Sequence, residues 1–227
     1  GAMTFTLGFD VYGTLIDTSG VTTALEPLVG PQTPAFTALW RDKQLEYSFR
    51  RGLMQNYCHF ALCTRHALDY CCRVLEVTIS DHDKEALMAR YKTLPAFADA
   101  SAALEQLQGA GHRLFAFSNG LADDVAGLLR HAGIEKYFID VVSTDEIRSF
   151  KPNPGVYAHF LRRSNAAVHQ AWLISGNPFD VVGAISAGLR GAWVQRSPKA
   201  VFDPWELQPT LTVRNLGELR QGLDSSR

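Results

Sequence analysis

Six short apolar runs, each bounded by glycine or polar turn residues, constrain this chain more than any other feature of its 227 residues. They lie at 4–10, 113–117, 139–142, 171–174, 191–195 and 211–213. Runs of this length between turn signals read as buried strands. Helix-like stretches separate the later ones, so the pattern is a βαβ series. Strands joined through helices form a parallel sheet covered on both faces. The expected fold is therefore α/β, with a doubly wound, Rossmann-like parallel sheet as its core.

Residues 17–95 offer no strand pattern. Helical periodicity runs instead over 35–57, 60–75 and 84–94, and another helix is expected over 100–108 ahead of the second strand. This divides the chain into an α/β core domain of residues 1–16 and 96–227 and a helical cap subdomain of residues 17–95. A length of 227 suits one large domain with an insertion. Hydrophobic residues at 46% and charged residues at 20% exclude disorder. Twenty-two Lys plus Arg against 23 Asp plus Glu leave a net charge of -1, which gives no electrostatic reason to bind nucleic acid or an anionic membrane. No run nears the roughly 18 apolar residues of a membrane helix, so a cytoplasmic protein is expected. Gly1 and Ala2 read as a non-native remnant before Met3.

Four cysteines, Cys58, Cys63, Cys71 and Cys72, cluster in one helical segment, which favours free thiols over a disulfide framework. His59, Cys63 and His66 share a helix face and suggest zinc, but no fourth ligand stands at a suitable spacing. Packing within the cap is the preferred reading of all of them.

In open α/β sheets, ligands sit beyond the carboxyl ends of the strands. The first strand ends in Phe9, Asp10, Val11, Tyr12, Gly13 and Thr14. Asp10 is placed either to attack a bound substrate or only to cap the turn. Ser118, Asn119 and Gly120 close the second strand and form either an anion cradle or a simple helix cap. Lys151, Pro152, Asn153 and Pro154 follow the third, and Ser175, Gly176, Asn177, Pro178, Phe179 and Asp180 follow the fourth. Each segment alone has an ordinary structural explanation. All four in one order make coincidence a poor account.

The order Asp10 to Thr14, Ser118, Lys151-Pro152 and Ser175 to Asp180 resembles the haloacid dehalogenase superfamily, and the resemblance covers essentially the whole chain. Most of its members are phosphatases with an aspartate nucleophile and Mg²⁺. Two positions depart from that pattern. A phosphatase carries a second Asp two residues after the nucleophile as general acid and base, and here a phenol of pKa about 10 stands there, Tyr12. A metal-holding Asp is replaced by Asn177, although Mg²⁺ prefers hard anionic oxygens. A halide leaving group needs no proton, so the chain looks like the (S)-2-haloacid dehalogenases, working without metal or other cofactor. The cap segment 39–47, LWRDKQLEY, is similar to the one in which those enzymes place a halide-binding arginine, here Arg41.

That resemblance implies roles residue by residue. Asp10 would attack C2 of a short 2-haloalkanoic acid with inversion, while Arg41, Asn119 and the ring edge of Phe179 receive the halide. Ser118, Lys151 and backbone N–H groups around Val11, Tyr12 and Asn119 would hold the carboxylate. Thr14, Tyr157, Ser175, Asn177 and Asp180 would position Asp10, Lys151 and the hydrolytic water, with Tyr157 also counted among the substrate contacts. Tyr12, Leu45, Phe60 and Phe179 would wall the alkyl pocket, and Asp42 could alter its mouth or the charge of Arg41. A homodimer through the cap helices is the implied assembly. The alternatives are a metal-dependent phosphatase, a hydrolase of a strained ring acid such as azetidine-2-carboxylate, and a catalytically silent binding protein.

Overall fold

The computed structural model describes residues 3–226; Gly1, Ala2 and Arg227, and with them the expected remnant, lie outside the described residues. Strand β1 (Thr6–Phe9) is followed by four helices, α1 (Ser19–Val29), α2 (Thr33–Met54), α3 (Phe60–Val74) and α4 (Asp81–Arg90). The chain then alternates through α5 (Ala100–Gly109), β2 (Arg113–Ser118), α6 (Ala122–His131), β3 (Asp140–Ser143), α7 (Pro154–Ser164) and β4 (Ala171–Ser175). It ends with α8 (Pro178–Ser186), β5 (Arg190–Val194), β6 (Leu211–Val213) and α9 (Leu219–Ser225).

All six strands pair in parallel in the order β3-β2-β1-β4-β5-β6. The sequence of strands runs outward from β1 on one side and then returns to fill the other. The direction of winding thus reverses beside β1, where α/β sheets bind ligands. Register brings the chemistry to one edge: Phe9 lies opposite Ala116 on β2 and Ile174 on β4, so Asp10, Ser118 and Ser175 emerge together. β1 and β4 are buried along their whole length, as strands covered on both faces must be.

Helices α1 to α4 leave the sheet through a narrow neck. Asp17 N–H donates to Pro95 O and Phe97 N–H to Leu15 O, both at 2.9 Å, so outgoing and returning chains lie side by side. α1 was not foreseen, because Pro27 and the β-branched Val21-Thr22-Thr23 depress helix propensity. Burial of Val21, Leu25 and Val29, at i, i+4 and i+8, overrides that preference. α4 begins at Asp81, ahead of the expected residue 84, because the Ser80 hydroxyl accepts the Asp83 N–H at 3.1 Å. α2 stops at Met54 rather than 57, since Gln55 turns into the left-handed region at φ 54. On the other flank, α8 packs so closely on the loop after β3 that a Cβ at Gly183 would stand 2.6 Å from both Pro152 Cβ and the Tyr157 hydroxyl. Cys71 and Cys72 belong to the apolar core, and all four cysteines are free thiols.

His112, 5% exposed, ties the first residues of the fold to β2. Its Nδ1 accepts the Phe5 N–H at 3.0 Å, and the two rings stack at 5.7 Å. Burial holds this imidazole below its ordinary value, against the opposing field of Asp224. The unfolded chain therefore takes up a proton near pH 6.5 that the folded chain resists, so this contribution is complete above that pH and is lost as pH falls below it. Urea unfolding at pH 7.5 and pH 5.5 should show wild type losing more stability on acidification than His112→Gln, which keeps an acceptor but cannot titrate. Equal losses would exclude His112 as the source.

Candidate active site

A cavity of about 350 Å³ lies between the carboxyl edge of the sheet and helices α1 to α4. Its floor is built by the turn after β1. The Val11 carbonyl accepts N–H bonds from Thr14, Leu15 and Ile16 at 3.2, 2.9 and 3.0 Å. Gly13 closes this turn at φ 81, a conformation open to glycine. The turn aims Thr14 back at the strand end, where its hydroxyl donates to Asp10 Oδ2 at 3.0 Å while accepting the Gly176 N–H at 2.8 Å.

The two oxygens of Asp10 are treated differently. Oδ2 receives Thr14, Ser175 Oγ at 3.2 Å and Asn177 Nδ2 at 2.6 Å. Among the described residues Oδ1 has one hydrogen-bond partner, Lys151 Nζ, at 3.3 Å. Lys151 is 2% exposed, and its ammonium also donates to Asp180 Oδ2 and to the Phe117 carbonyl, each at 2.8 Å. Burial alone would lower its pKa, but the fields of Asp180 and Asp10 outweigh that and hold it above the ordinary lysine value. Asp180 is lifted by its own burial while Lys151 pulls it back. Its second oxygen accepts the Tyr157 hydroxyl at 2.7 Å, and burial beside Asp180 keeps that phenol protonated.

On the cap side, Arg41 of α2 reaches down and donates through Nη2 to Asn177 Oδ1. Burial lowers its pKa, with the negative fields of Asp10, Tyr91 and Asp42 opposing that loss. Asp42 itself is exposed and lies outside the cavity wall, so it touches the site only through this field. Asn119 is oriented from below: its Oδ1 accepts the Lys151 N–H at 3.0 Å and Thr144 Oγ1 at 3.2 Å, while its Nδ2 bonds to no protein acceptor among the described residues. Ser118 Oγ accepts the Gly120 N–H at 3.0 Å and keeps its own proton available.

The structure brings Asp10, Tyr12, Arg41, Leu45, Phe60, Ser118, Asn119, Lys151, Asn177 and Phe179 to one cavity. Thr14 and Ser175 hydrogen-bond to Asp10, and Asp180 to Lys151, from behind the cavity wall. Two substrate contacts, Tyr157 and Lys151, need correction. Tyr157 is fully buried behind Asp180 and absent from the cavity wall, so it reaches the site only through that carboxylate. The Val11 side chain is fully buried, so Val11 meets the cavity through its main chain beside Asp10, the contact expected of it. Lys151 also spends all three ammonium hydrogens on protein oxygens, which directs it to Asp10 rather than to a substrate carboxylate. Sequence reasoning missed Thr144 and the cap residues Trp40, Gln44, Thr64 and Tyr91 on the wall. Gln44 lay in the quoted cap segment, but nothing in its spacing marked it.

The Mg²⁺ of the superfamily does not fit these residues. Asn177 turns its N–H groups toward Asp10 and gives its oxygen to Arg41, and both Asp180 oxygens are taken by Lys151 and Tyr157. An ammonium already faces the free oxygen of Asp10. No group of three or more metal-binding side chains gathers among the described residues, and buried Cys63 and exposed His66 do not converge with His59.

An Asp-Ser-Lys-Asp set on parallel strand ends beneath a helical insertion is matched by proteins of known family. The chain belongs to the haloacid dehalogenase-like hydrolase family, which matches residues 6–188. It is 33% identical over 218 residues to the (S)-2-haloacid dehalogenase of Pseudomonas putida, covering 96% of both chains. The crystal structure of an L-2-haloacid dehalogenase superposes with a TM-score of 0.93 at 29% identity, covering 97% of this chain and 98% of that one. The L-2-haloacid dehalogenase of Xanthobacter autotrophicus with chloropropionic acid covalently bound gives a TM-score of 0.89 at 30% identity, over 96% and 98%.

The Lys151–Asp180 pair is buried on both sides, at 2% and 1% side-chain exposure. Removing one member strands the other, which typically costs about 3–5 kcal/mol. Asp180→Asn should lose stability of that order in denaturant unfolding. A loss under about 1 kcal/mol would mean that Asp10 alone suffices to hold the ammonium.

Proposed function

We propose that this chain hydrolyses short 2-haloalkanoic acids to 2-hydroxyacids and halide, with inversion at C2, through an ester on Asp10 and without metal or organic cofactor. The observation that carries this reading is the asymmetry of the Asp10 carboxylate. Oδ2 is held by three donors, while Oδ1 meets one long contact to Lys151 and keeps a lone pair for attack. Similarity to haloacid dehalogenases over nearly the whole chain supports the substrate class.

In the forward step, Oδ1 attacks C2 from the face opposite the halogen, forming the O–C2 ester bond as the C2–halogen bond breaks and its electron pair departs with the halogen as halide. Arg41, the Asn119 amide and the Phe179 ring edge receive it; Phe179 is steadied by Phe49 at 5.3 Å between ring centres. The substrate carboxylate is met by the Ser118 hydroxyl and by the N–H groups of Val11, Tyr12 and Asn119, which donate to no protein acceptor among the described residues. The alkyl group turns to Tyr12, Leu45 and Phe60. In the second step, water adds to the ester carbonyl carbon and negative charge develops on Oδ2. The hydroxyls of Thr14 and Ser175 and the Asn177 amide already point there, so the donors that fix the resting carboxylate become an oxyanion hole. Collapse releases the hydroxyacid, and Asp10 keeps one oxygen from water.

A phosphatase reading meets two obstacles. Burial and the nearby Asp124 push the Tyr12 phenol further above its ordinary range, so it cannot trade protons with a phosphate leaving group near neutrality. The donor set around Asp10 is also wrong for Mg²⁺. In this reading residues 17–95 act as a cap subdomain over a core of 1–16 and 96–227. No helix among the described residues is long and apolar enough to cross a membrane. Free thiols suit a cytoplasmic setting. Exposed Leu53, Met54, Leu62 and Val74 on α2 and α3 suit a homodimer through the cap, which light scattering should find as twice the 25.1 kDa chain mass; a monomer at micromolar concentration would refute it.

One preparation tests both the mechanism and the cofactor. In a single turnover in H₂¹⁸O with enzyme in excess, mass spectrometry should find the heavy oxygen in the peptide holding Asp10 and little of it in the hydroxyacid. Label in the product instead would mean that Asp10 only activates water. Halide release from 2-chloropropionate should be unchanged in excess EDTA, and a loss restored by Mg²⁺ would return the phosphatase reading.

A further inference from the structure

The reacting groups take up only the core end of the cavity. Beyond them it continues between α1, α2 and α4, where Val21, Trp40, Met88 and Tyr91 form the walls. Aromatic edges lead there from the nucleophile's own loop. Tyr12 meets Tyr91 at 6.2 Å between ring centres, and Tyr91 meets Trp40 at 5.9 Å.

Three polar side chains on this wall, Trp40, Gln44 and Thr64, are turned on one another. Gln44 Nε2 donates to Thr64 Oγ1 at 2.6 Å, and Trp40 Nε1 donates to the Thr64 carbonyl at 2.9 Å. The Thr37 hydroxyl is buried without a partner. The Thr22 and Tyr91 hydroxyls on this wall also bond to no protein group among the described residues, but apolar side chains form the larger part of the wall, so a hydrocarbon chain lying along them displaces water that has few polar partners.

We infer that this chamber is an alkyl-chain subsite, which makes 2-haloacids of roughly four to six carbons better substrates than their two- and three-carbon counterparts. The inference rests on the dehalogenase reading. The carboxylate and halogen use the polar groups at the core end, so the part of the substrate that extends into the chamber is the remainder of the acid. Each methylene taken out of water is worth about fourfold in affinity. The chain touches the same walls before and during reaction, so the gain falls on KM and leaves kcat nearly constant.

Halide release is to be measured with bromoacetate, 2-bromopropionate, 2-bromobutyrate and 2-bromohexanoate for wild type, Val21→Phe and Met88→Phe. In wild type, kcat/KM should climb about fourfold per methylene from 2-bromopropionate to 2-bromohexanoate. Both variants fill the chamber from different helices. They should lose at least tenfold on 2-bromohexanoate and stay within about twofold on bromoacetate, which also certifies that they fold. A wild-type series that declines with length, or variants that keep the wild-type profile, overturns the subsite and leaves the dehalogenase reading standing. No halide from bromoacetate overturns both.

Discussion

A single buried ammonium organises this molecule. Lys151 sits at 2% exposure with its three hydrogens on Asp10, Asp180 and the Phe117 carbonyl. A lone charge at that depth would cost several kcal/mol, and two carboxylates without it would repel one another. The remaining demands follow in sequence. Asp180 needs a donor for its second oxygen, which Tyr157 supplies, and Tyr157 needs room against α8, which Gly183 supplies by lacking a Cβ. Asn119 accepts the Lys151 N–H and thereby fixes which way its own amide nitrogen turns. Two carboxylates and one ammonium leave the group one net negative charge.

The helical insertion enters this network at one decisive point. An asparagine amide can present either end to a neighbour, and only its nitrogen can donate to Asp10. Arg41 settles the choice by donating to Asn177 Oδ1, so the Asn177 nitrogen is committed to Asp10 Oδ2. The helical insertion is pinned to the sheet elsewhere by apolar contacts as well: Tyr57 and Phe60 pack on Phe150, next to Lys151 in sequence, at 5.2 and 6.1 Å between ring centres. Docking of α2 and α3 onto the core is therefore coupled to the orientation of the groups that hold Asp10.

Much of this was legible in the sequence, for a physical reason. Parallel strands buried on both faces leave uninterrupted apolar runs, and the polar residues that end them fall at the sheet edge, which is what makes Asp10, Ser118, Lys151 and Asp180 stand out in the sequence. The cap was readable only in outline. Its helices follow amphipathic spacing, but α1 carries Pro27 and three consecutive β-branched residues, and burial of Val21, Leu25 and Val29 decides against local propensity. What spacing could not reveal was direction. Tyr157 sits one helical turn beyond the Lys151 loop, close enough in sequence to be taken for a substrate contact, yet the tight approach of α8 turns its hydroxyl onto Asp180. The main-chain acceptor of Lys151, the Phe117 carbonyl, carries no signature in residue identity at all.

The geometry also bears on how charge is managed in the proposed reaction. Attack at C2 moves one negative charge from Asp10 to the departing halide while the substrate carboxylate keeps its own, so the total is constant and only its position changes. A cation is then useful at each end of the path. Lys151 stands at the Asp10 end and Arg41 at the cap end, and Arg41 makes no salt bridge among the described residues. Their contacts are unequal in a productive sense. Lys151 lies 3.3 Å from Asp10 but 2.8 Å from Asp180, so Asp180 draws the ammonium away from the nucleophile. A shorter contact to Asp10 would stabilise the starting carboxylate more than the transition state, and stabilisation of that kind slows the chemical step. In the proposed reaction Asp180 would thus serve reactivity by competing for the cation that a buried Asp10 requires.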